Sequence, residues 1–211
     1  SILRGGGGDD ILHAGAGSET ELYGEEGNDT LYSSADPAQN LLDGGNGDDL
    51  VYGAAGDTLI GGAGTDHFNL NLSLAETSFN FRVSDMLSAS YTLGTTSLSG
   101  FENFYLTLGS GDDTVSFAGA TQTLSEHWGA IHASTLDLGL GDHAVTFDAA
   151  SSGRYTVVAG SGFDQLIADF SGASVDVEIY TTSIVLNDGS LSVSLWGFDV
   201  IQAWGGEGDD T

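Results

Sequence analysis

Gly5-Gly6-Gly7-Gly8-Asp9-Asp10-Ile11-Leu12-His13 and Gly61-Gly62-Ala63-Gly64-Thr65-Asp66-His67-Phe68-Asn69 frame the stretch that decides the fold. Between them stand Gly24-Glu25-Glu26-Gly27-Asn28-Asp29-Thr30-Leu31-Tyr32 and Gly44-Gly45-Asn46-Gly47-Asp48-Asp49-Leu50-Val51-Tyr52. All four follow the pattern G-G-x-G-x-D-x-U-x, with U large and apolar, and the one lapse is Glu25 at the second position. Glycine in the turning half permits positive φ and close backbone approach. The last three positions read as a short strand whose middle residue points inward. A flexible Gly/Asp linker has no reason to hold Leu12, Leu31, Val51 and Phe68 at one fixed phase.

The sixth position places a carboxylate beside converging carbonyls. About six to eight oxygens of this kind suit Ca²⁺, a hard cation; no thiolate is present for a soft metal. Two nonapeptides make one coil, and stacked coils lie about 4.8 Å apart. Position-six carboxylates on neighbouring coils then repel by roughly 3.5 kcal/mol at an effective dielectric of about 20. A dication between them reverses that sign.

On these residues the stretch resembles the calcium-binding repeat (RTX) region of bacterial type I-secreted proteins. The fold expected is all-β: a right-handed parallel β-roll or β-solenoid, with longer, less regular coils in the C-terminal two-thirds. The resemblance implies several Ca²⁺ ions. Each would take carbonyls of positions two and four plus the carboxylate from one turn, and carbonyls of positions one and three plus the carboxylate from the next. The first site would use Gly6, Gly8, Asp10, Gly24, Glu26 and Asp29. The second would use Glu25, Gly27, Asp29, Gly44, Asn46 and Asp49. The third would use Gly45, Gly47, Asp49, Gly61, Ala63 and Asp66. Gly62 and Gly64, and further along Gly109, Gly111, Asp113 and Asp164, are additional candidates. Successive nonapeptides alternate between two edges, so the intervening ones share the other edge. Their sixth positions read as Glu19, Asn40 and Asp57, in units that are lengthened, glycine-free or shortened. Calcium is therefore expected along one edge only.

Composition limits the alternatives. There are 31 Asp+Glu against 3 Lys+Arg, a net charge of −28. Such a chain repels nucleic acid and anionic membranes. The charge alone would suggest disorder, but 40% hydrophobic content argues for a packed chain once cations neutralise the acids. There is no cysteine, so metal takes the place of disulfides as the staple. No run approaches the roughly 20 apolar residues of a membrane helix.

Three regions are expected: 1–69, a calcium β-roll; 70–204, an irregular β-solenoid; and 205–211, the start of a further repeat. Residues 69–74 and 79–83 alternate with period two, and Tyr91–Leu93 and Phe104–Leu106 read as further strands. The turn motif returns at Gly109–Asp113, Gly139–His143 and Gly160–Asp164, where His143 replaces the acid. Phe101–Thr114 matches Phe198–Thr211 without a gap, 97 residues on. Together with the ending inside Gly205-Gly206-Glu207-Gly208-Asp209-Asp210-Thr211, this reads as a piece of a longer repetitive protein.

Catalytic constellations are weak. His127 and His132 are five apart and Glu126 precedes His127, so they do not form H-E-x-x-H. No G-x-S-x-G nucleophile elbow occurs. Asp112/Asp113 and the other carboxylate pairs recur with the repeat, as structural ligands do, rather than once in a pocket. Trp128, Trp196 and Trp204 are better explained by core packing and edge capping than by a sugar platform, although carbohydrate binding by 70–204 stays open. The expected function is non-enzymatic: a calcium-rigidified module of a large extracellular or cell-surface bacterial protein, such as a surface layer, adhesin or filament. Its expected partners are calcium and further copies or modules of the same protein. The alternative is an accessory repeat domain of a secreted enzyme or toxin whose active site lies elsewhere.

Overall fold

Leu12, Leu22, Leu31, Leu42, Val51, Leu59 and Phe68 recur once per nonapeptide, and all are buried. They make the spine of a roll whose two walls are parallel sheets. The computed structural model describes every residue except 18, 35–38, 88–89, 122–133, 209 and 211. Eight strands form the walls: β1 (Ile2–Gly7), β2 (Ile11–His13), β3 (Glu21–Glu26), β4 (Thr30–Tyr32), β5 (Leu41–Asn46), β6 (Leu50–Gly53), β7 (Thr58–Ala63) and β8 (His67–Asn71). One wall runs β1-β3-β5-β7 and the other β2-β4-β6-β8. The register puts like on like, with Leu22 beside Leu42 and Leu42 beside Leu59 in one wall, and Leu31 beside Val51 and Val51 beside Phe68 in the other. Full burial of each such side chain contributes roughly 2 kcal/mol.

After β8 come β9 (Asn80–Arg82), a single-turn helix α1 (Val83–Met86), β10 (Tyr91–Leu93), β11 (Thr96–Ser99) and β12 (Asn103–Thr107). The chain divides into two compact bodies. The first holds Ser1–Leu72 and Met86–Leu106; the second holds Ser73–Asp85, Thr107–Gln122 and Ala133–Thr211. In the first, β11 adds in parallel to β7, and β10 folds back on β11 as an antiparallel hairpin. Phe101 packs edge-on against Phe68 at 5.3 Å, and Phe104 lies at 5.9 Å from the same ring.

The second body adds β13 (Thr114–Ser116), β14 (Ser134–Asp137), β15 (Ala144–Asp148), β16 (Gly153–Val158), β17 (Gln165–Asp169), β18 (Val177–Tyr180), β19 (Ser183–Leu186), β20 (Leu191–Trp196) and β21 (Val200–Trp204). One wall is the parallel series β9-β13-β15-β17-β21. The other includes β14-β16-β20, extended by the antiparallel β19 and β18. Its core is more aromatic: Phe117 and Phe147 stack at 4.3 Å, with Tyr155 edge-on to Phe117.

Two expectations are corrected. The inward residue of the lengthened second nonapeptide is Thr20, which is buried, and Glu19 is exposed. Leu22 fixes the phase, so the added residue falls before Thr20. Trp196 and Trp204 are not core residues: they are 61% and 50% exposed, because strand alternation turns them outward from buried neighbours such as Leu195. Glu126, His127, Trp128 and His132 lie outside the described residues.

Candidate calcium centre

The turns that begin at Gly5, Gly24, Gly44 and Gly61 stack on one edge of the first body. From the second turn on, each position-six carboxylate uses one oxygen to join the stack. The backbone N–H of Asp10 donates to Asp29 Oδ1, that of Asp29 to Asp49 Oδ1 and that of Asp49 to Asp66 Oδ1, all at 2.8 Å. The other oxygen is left over. Oδ2 of Asp10, Asp29, Asp49 and Asp66 is buried and has no hydrogen-bond partner. An unpaired buried carboxylate oxygen is costly, and four repeats of it on one edge mark missing positive charge.

Backbone oxygens converge on those same atoms. A Cβ built on Gly5 would meet Asp10 Oδ2 at 2.6 Å and the Gly24 carbonyl oxygen at 2.8 Å. On Gly24 it would meet Asp29 Oδ2 and the Gly44 carbonyl, and on Gly44, Asp49 Oδ2 and the Gly61 carbonyl. Glycine at position one thus leaves open a cradle between a carboxylate and the next coil's carbonyl. From the other side, the carbonyls of Gly8, Glu25, Gly27, Gly45 and Gly47 lie against Gly27, Gly45, Gly47, Gly62 and Gly64 of the following coils. The carbonyls of Glu26, Asn46 and Ala63 face back, accepting from Gly8, Gly27 and Gly47 N–H. Both coils therefore present oxygens to each gap. Among the described residues no three acidic or histidine side chains gather as a metal-binding group; most of the donors are backbone. Oxygen donors of this kind and number fit Ca²⁺.

The electrostatics agree. Burial, with neighbouring carboxylates adding to it, pushes Asp49 up to about 7 and Asp66 to about 8, against the hydrogen bonds that favour their charged forms. Asp29 is raised mainly by burial as well. The sites hold charge poorly without a cation.

Glu25 holds the glycine conformation without being glycine, at φ 79°, while Gly6, Gly45 and Gly62 lie at 102°, 109° and 121°. Its side chain pairs with Arg4 at 2.7 Å.

Among the described residues the opposite edge of the same body leaves no buried side-chain oxygen unpartnered. Asn40 Oδ1 accepts from Thr20 N–H, and Asp57 Oδ1 from Asn40 N–H, both at 2.9 Å. Asp57 Oδ2 accepts from Ala54 N–H at 2.8 Å, and the Asn40 amide donates to Ser33 and Ser34 hydroxyls.

In the second body Gly109 and Gly111 lie against Ala75 and Thr77 on one side, while on the other their carbonyl oxygens face Gly139 and Gly141 of the next glycine turn. Asp113 Oδ1 accepts from Phe79 N–H. Asp113 N–H donates to His143 Nδ1 at 3.1 Å, and His143 N–H to Asp164 Oδ1 at 3.0 Å. His143 thus serves as the acceptor that an aspartate provides elsewhere, which assigns its proton to Nε2. Asp113 and Asp164 also keep a buried, unpartnered Oδ2, and burial raises both. Position one here is Leu108, Leu138 or Ala159, all buried, so a side chain stands where the first body has its cradle.

Residues 1–20, 21–37, 38–57 and 56–72 each match the family of the RTX calcium-binding nonapeptide repeat. No curated protein matches the chain. Residues 1–72 are therefore a run of RTX calcium-binding repeats. These repeats bind calcium, with several ions across them, and make up a calcium-binding module of the kind that typifies type I-secreted extracellular proteins. Among the described residues no helix is long and apolar enough to cross a membrane.

Proposed function

We propose that the chain is a calcium-stapled structural module of a large extracellular bacterial protein, such as a surface layer, adhesin or filament, and that it has no catalytic activity of its own. One observation carries the reading: the orphaned, buried Oδ2 row of Asp10, Asp29, Asp49 and Asp66. Carboxylates that recur coil after coil beside backbone oxygens act as ligands to a scaffold; a reacting pair would be unique.

The chain's own residues set the mechanism. At low calcium the acids of the glycine edge repel one another, and −28 on the chain opposes compaction. Bound calcium supplies the neutralising charge. Calcium sites of extracellular modules have dissociation constants of roughly 10⁻⁴–10⁻³ M, so outside the cell the folded state is favoured by binding. A chain that stays unfolded until it meets calcium suits export before folding.

Far-UV circular dichroism of the purified chain tests this. Excess chelator is expected to abolish β signal from the roll, and millimolar Ca²⁺ to restore it, with Mg²⁺ much less effective because it demands small octahedral sites. A spectrum unchanged by chelator overturns the staple. Turnover of a peptide, ester or glycoside, abolished by one substitution, overturns the non-catalytic role.

A further inference from the structure

Asp66 ends the nonapeptide series, yet its Oδ2 is as buried and unpartnered as the others. Among the described residues no glycine turn follows it on that edge. The next chain segment there is Gly100-Phe101-Glu102-Asn103, which lies 36 residues further on at Glu102. Glu102 Oε2 accepts from Asp66 N–H at 2.8 Å, as Asp29, Asp49 and Asp66 accept from the residues before them. In return, Glu102 and Asn103 N–H donate to the Asp66 carbonyl at 3.2 and 3.1 Å. The Gly100 carbonyl oxygen lies where a Gly61 Cβ would be, with Asp66 Oδ2 2.7 Å from the same point. That is the place taken by the Gly24, Gly44 and Gly61 carbonyls in the earlier gaps. Gly100, at φ 70°, sits over Gly62, with the Gly62 carbonyl oxygen 3.4 Å from its Cβ position.

We propose that Gly100–Glu102 is a three-residue substitute for a nonapeptide turn and completes a terminal calcium site with Asp66. Its oxygens are the Gly62 carbonyl and the Asp66 carboxylate from the last full turn, and the Gly100 carbonyl and Glu102 carboxylate from the cap. Asp66 then serves two gaps, as Asp29 and Asp49 do. The assignment rests on the calcium reading of the glycine edge and adds one ion to the three gaps between nonapeptide turns.

The second body holds a natural control. Gly197-Phe198-Asp199-Val200 makes the same cap. Asp164 N–H donates to Asp199 Oδ2 at 2.9 Å, and Asp199 and Val200 N–H donate to the Asp164 carbonyl at 3.0 and 3.1 Å. Gly197, at φ 85°, sits over Gly160. Here position one is Ala159, whose Cβ lies 3.6 Å from the Gly197 Cβ position. The cap closes the stack, but the cradle is filled, and no ion is assigned to it.

The experiment is calcium stoichiometry on the whole chain, by equilibrium dialysis with Ca²⁺ as the probe. Glu102→Gln keeps an oxygen for the Asp66 N–H but removes the charge. It is expected to bind one ion fewer than the wild type, with an unchanged circular dichroism spectrum in saturating calcium. Asp199→Asn is expected to bind the wild-type number. An unchanged count in Glu102→Gln overturns the terminal site and leaves the other gaps standing. A wild-type chain that binds no calcium overturns both this site and the reading beneath it, and loss of an ion in Asp199→Asn overturns the role given to position one. A crystal structure in saturating calcium is the second measurement: an ion is expected about 2.3–2.6 Å from Glu102 carboxylate oxygen, and its absence there overturns the site even if the count in Glu102→Gln falls.

Discussion

On the glycine edge of the first body, position one of every stacked turn is glycine: Gly5, Gly24, Gly44 and Gly61. In the second body's stack of Asp113, His143 and Asp164 the same place holds Leu108, Leu138 and Ala159. Both stacks share the ladder in which each position-six side chain accepts a backbone N–H from the coil before it. The difference separates two properties that the nonapeptide joins. Stacking coils needs only an acceptor at position six, and His143 supplies one. Holding a cation needs two coils to bring oxygens to one point, and a side chain at position one is expected to hinder it, even where Asp113 and Asp164 keep an unpartnered Oδ2. Metal dependence is therefore expected to concentrate in the first body.

The strongest way to break this contrast is to remove a carboxylate shared by two gaps. Asp49→Ala is expected to lose two calcium ions by equilibrium dialysis and to raise the calcium concentration needed for folding by about tenfold or more, the equivalent of at least 1.4 kcal/mol. Asp57→Ala, on the satisfied edge, is expected to keep the ion count. It leaves the Asn40 and Ala54 N–H groups without their acceptor, at a cost of about 1–3 kcal/mol read by denaturant unfolding. Equal loss of ions in both variants would show that the two edges do not differ as their hydrogen bonding indicates.

Acid should substitute in part for calcium. Asp49 and Asp66 have folded-state values of about 7 and about 8, above their ordinary 3.8. A raised carboxylate favours folding in its protonated form. That contribution is complete below pH 3.8 and is lost as the pH rises through about 7 to 8. With chelator present, the first body is expected to show more β signal at pH 5 than at pH 8.5. In calcium the trend should reverse, because protons compete for the same oxygens. A chelated chain equally unfolded at both values would contradict the burial of these acids.

The roll was legible because Leu12, Leu31, Val51 and Phe68 sit at one phase of a turn signature, and strand pairing carries that phase from coil to coil. Thr20 was misread as Glu19 because an inserted residue can fall on either side of the inward position, and only the stacked neighbour Asn40 decides between them. The Gly100–Glu102 cap was invisible for a different reason. Nothing local in Gly-Phe-Glu signals a turn of this kind; its meaning comes from standing over Asp66, far away in the chain. The 97-residue echo between Phe101 and Phe198 was the available clue, since both copies cap a stack. Trp196 failed because a tryptophan in an apolar strand favours the core by composition, while its parity along β20 sends it outward.

A smaller effect is expected at His143. It stands between Asp113 and Asp164, each with a buried carboxylate. His143→Asp restores the family residue but adds a third negative charge beside them, with Leu138 still blocking the cradle. The variant is expected to be less stable by about 1–3 kcal/mol in chelator, and to bind no additional ion in saturating calcium. One further ion would show that position six, not position one, decides where calcium sits.

The smallest effect concerns the one lapse in the glycine pattern. Glu25 adopts φ 79° at a place where the other turns use glycine. A side chain in that region costs about 1–2 kcal/mol, which the fold holds in place through the coils on either side. Replacing Glu25 also removes its pair with Arg4, which would confuse a single substitution. Comparing Glu25→Gly with Glu25→Ala cancels that loss, since both variants lack the carboxylate. Glycine is freer in the unfolded chain, which offsets part of its advantage by about 0.5–1 kcal/mol. In saturating calcium, denaturant unfolding is therefore expected to find Glu25→Gly more stable than Glu25→Ala by about 0.5–1 kcal/mol. Alanine equal to or better than glycine would mean that the turn at Gly24–Asp29 relaxes to negative φ, and that its carbonyls are not held as those of the other three turns are.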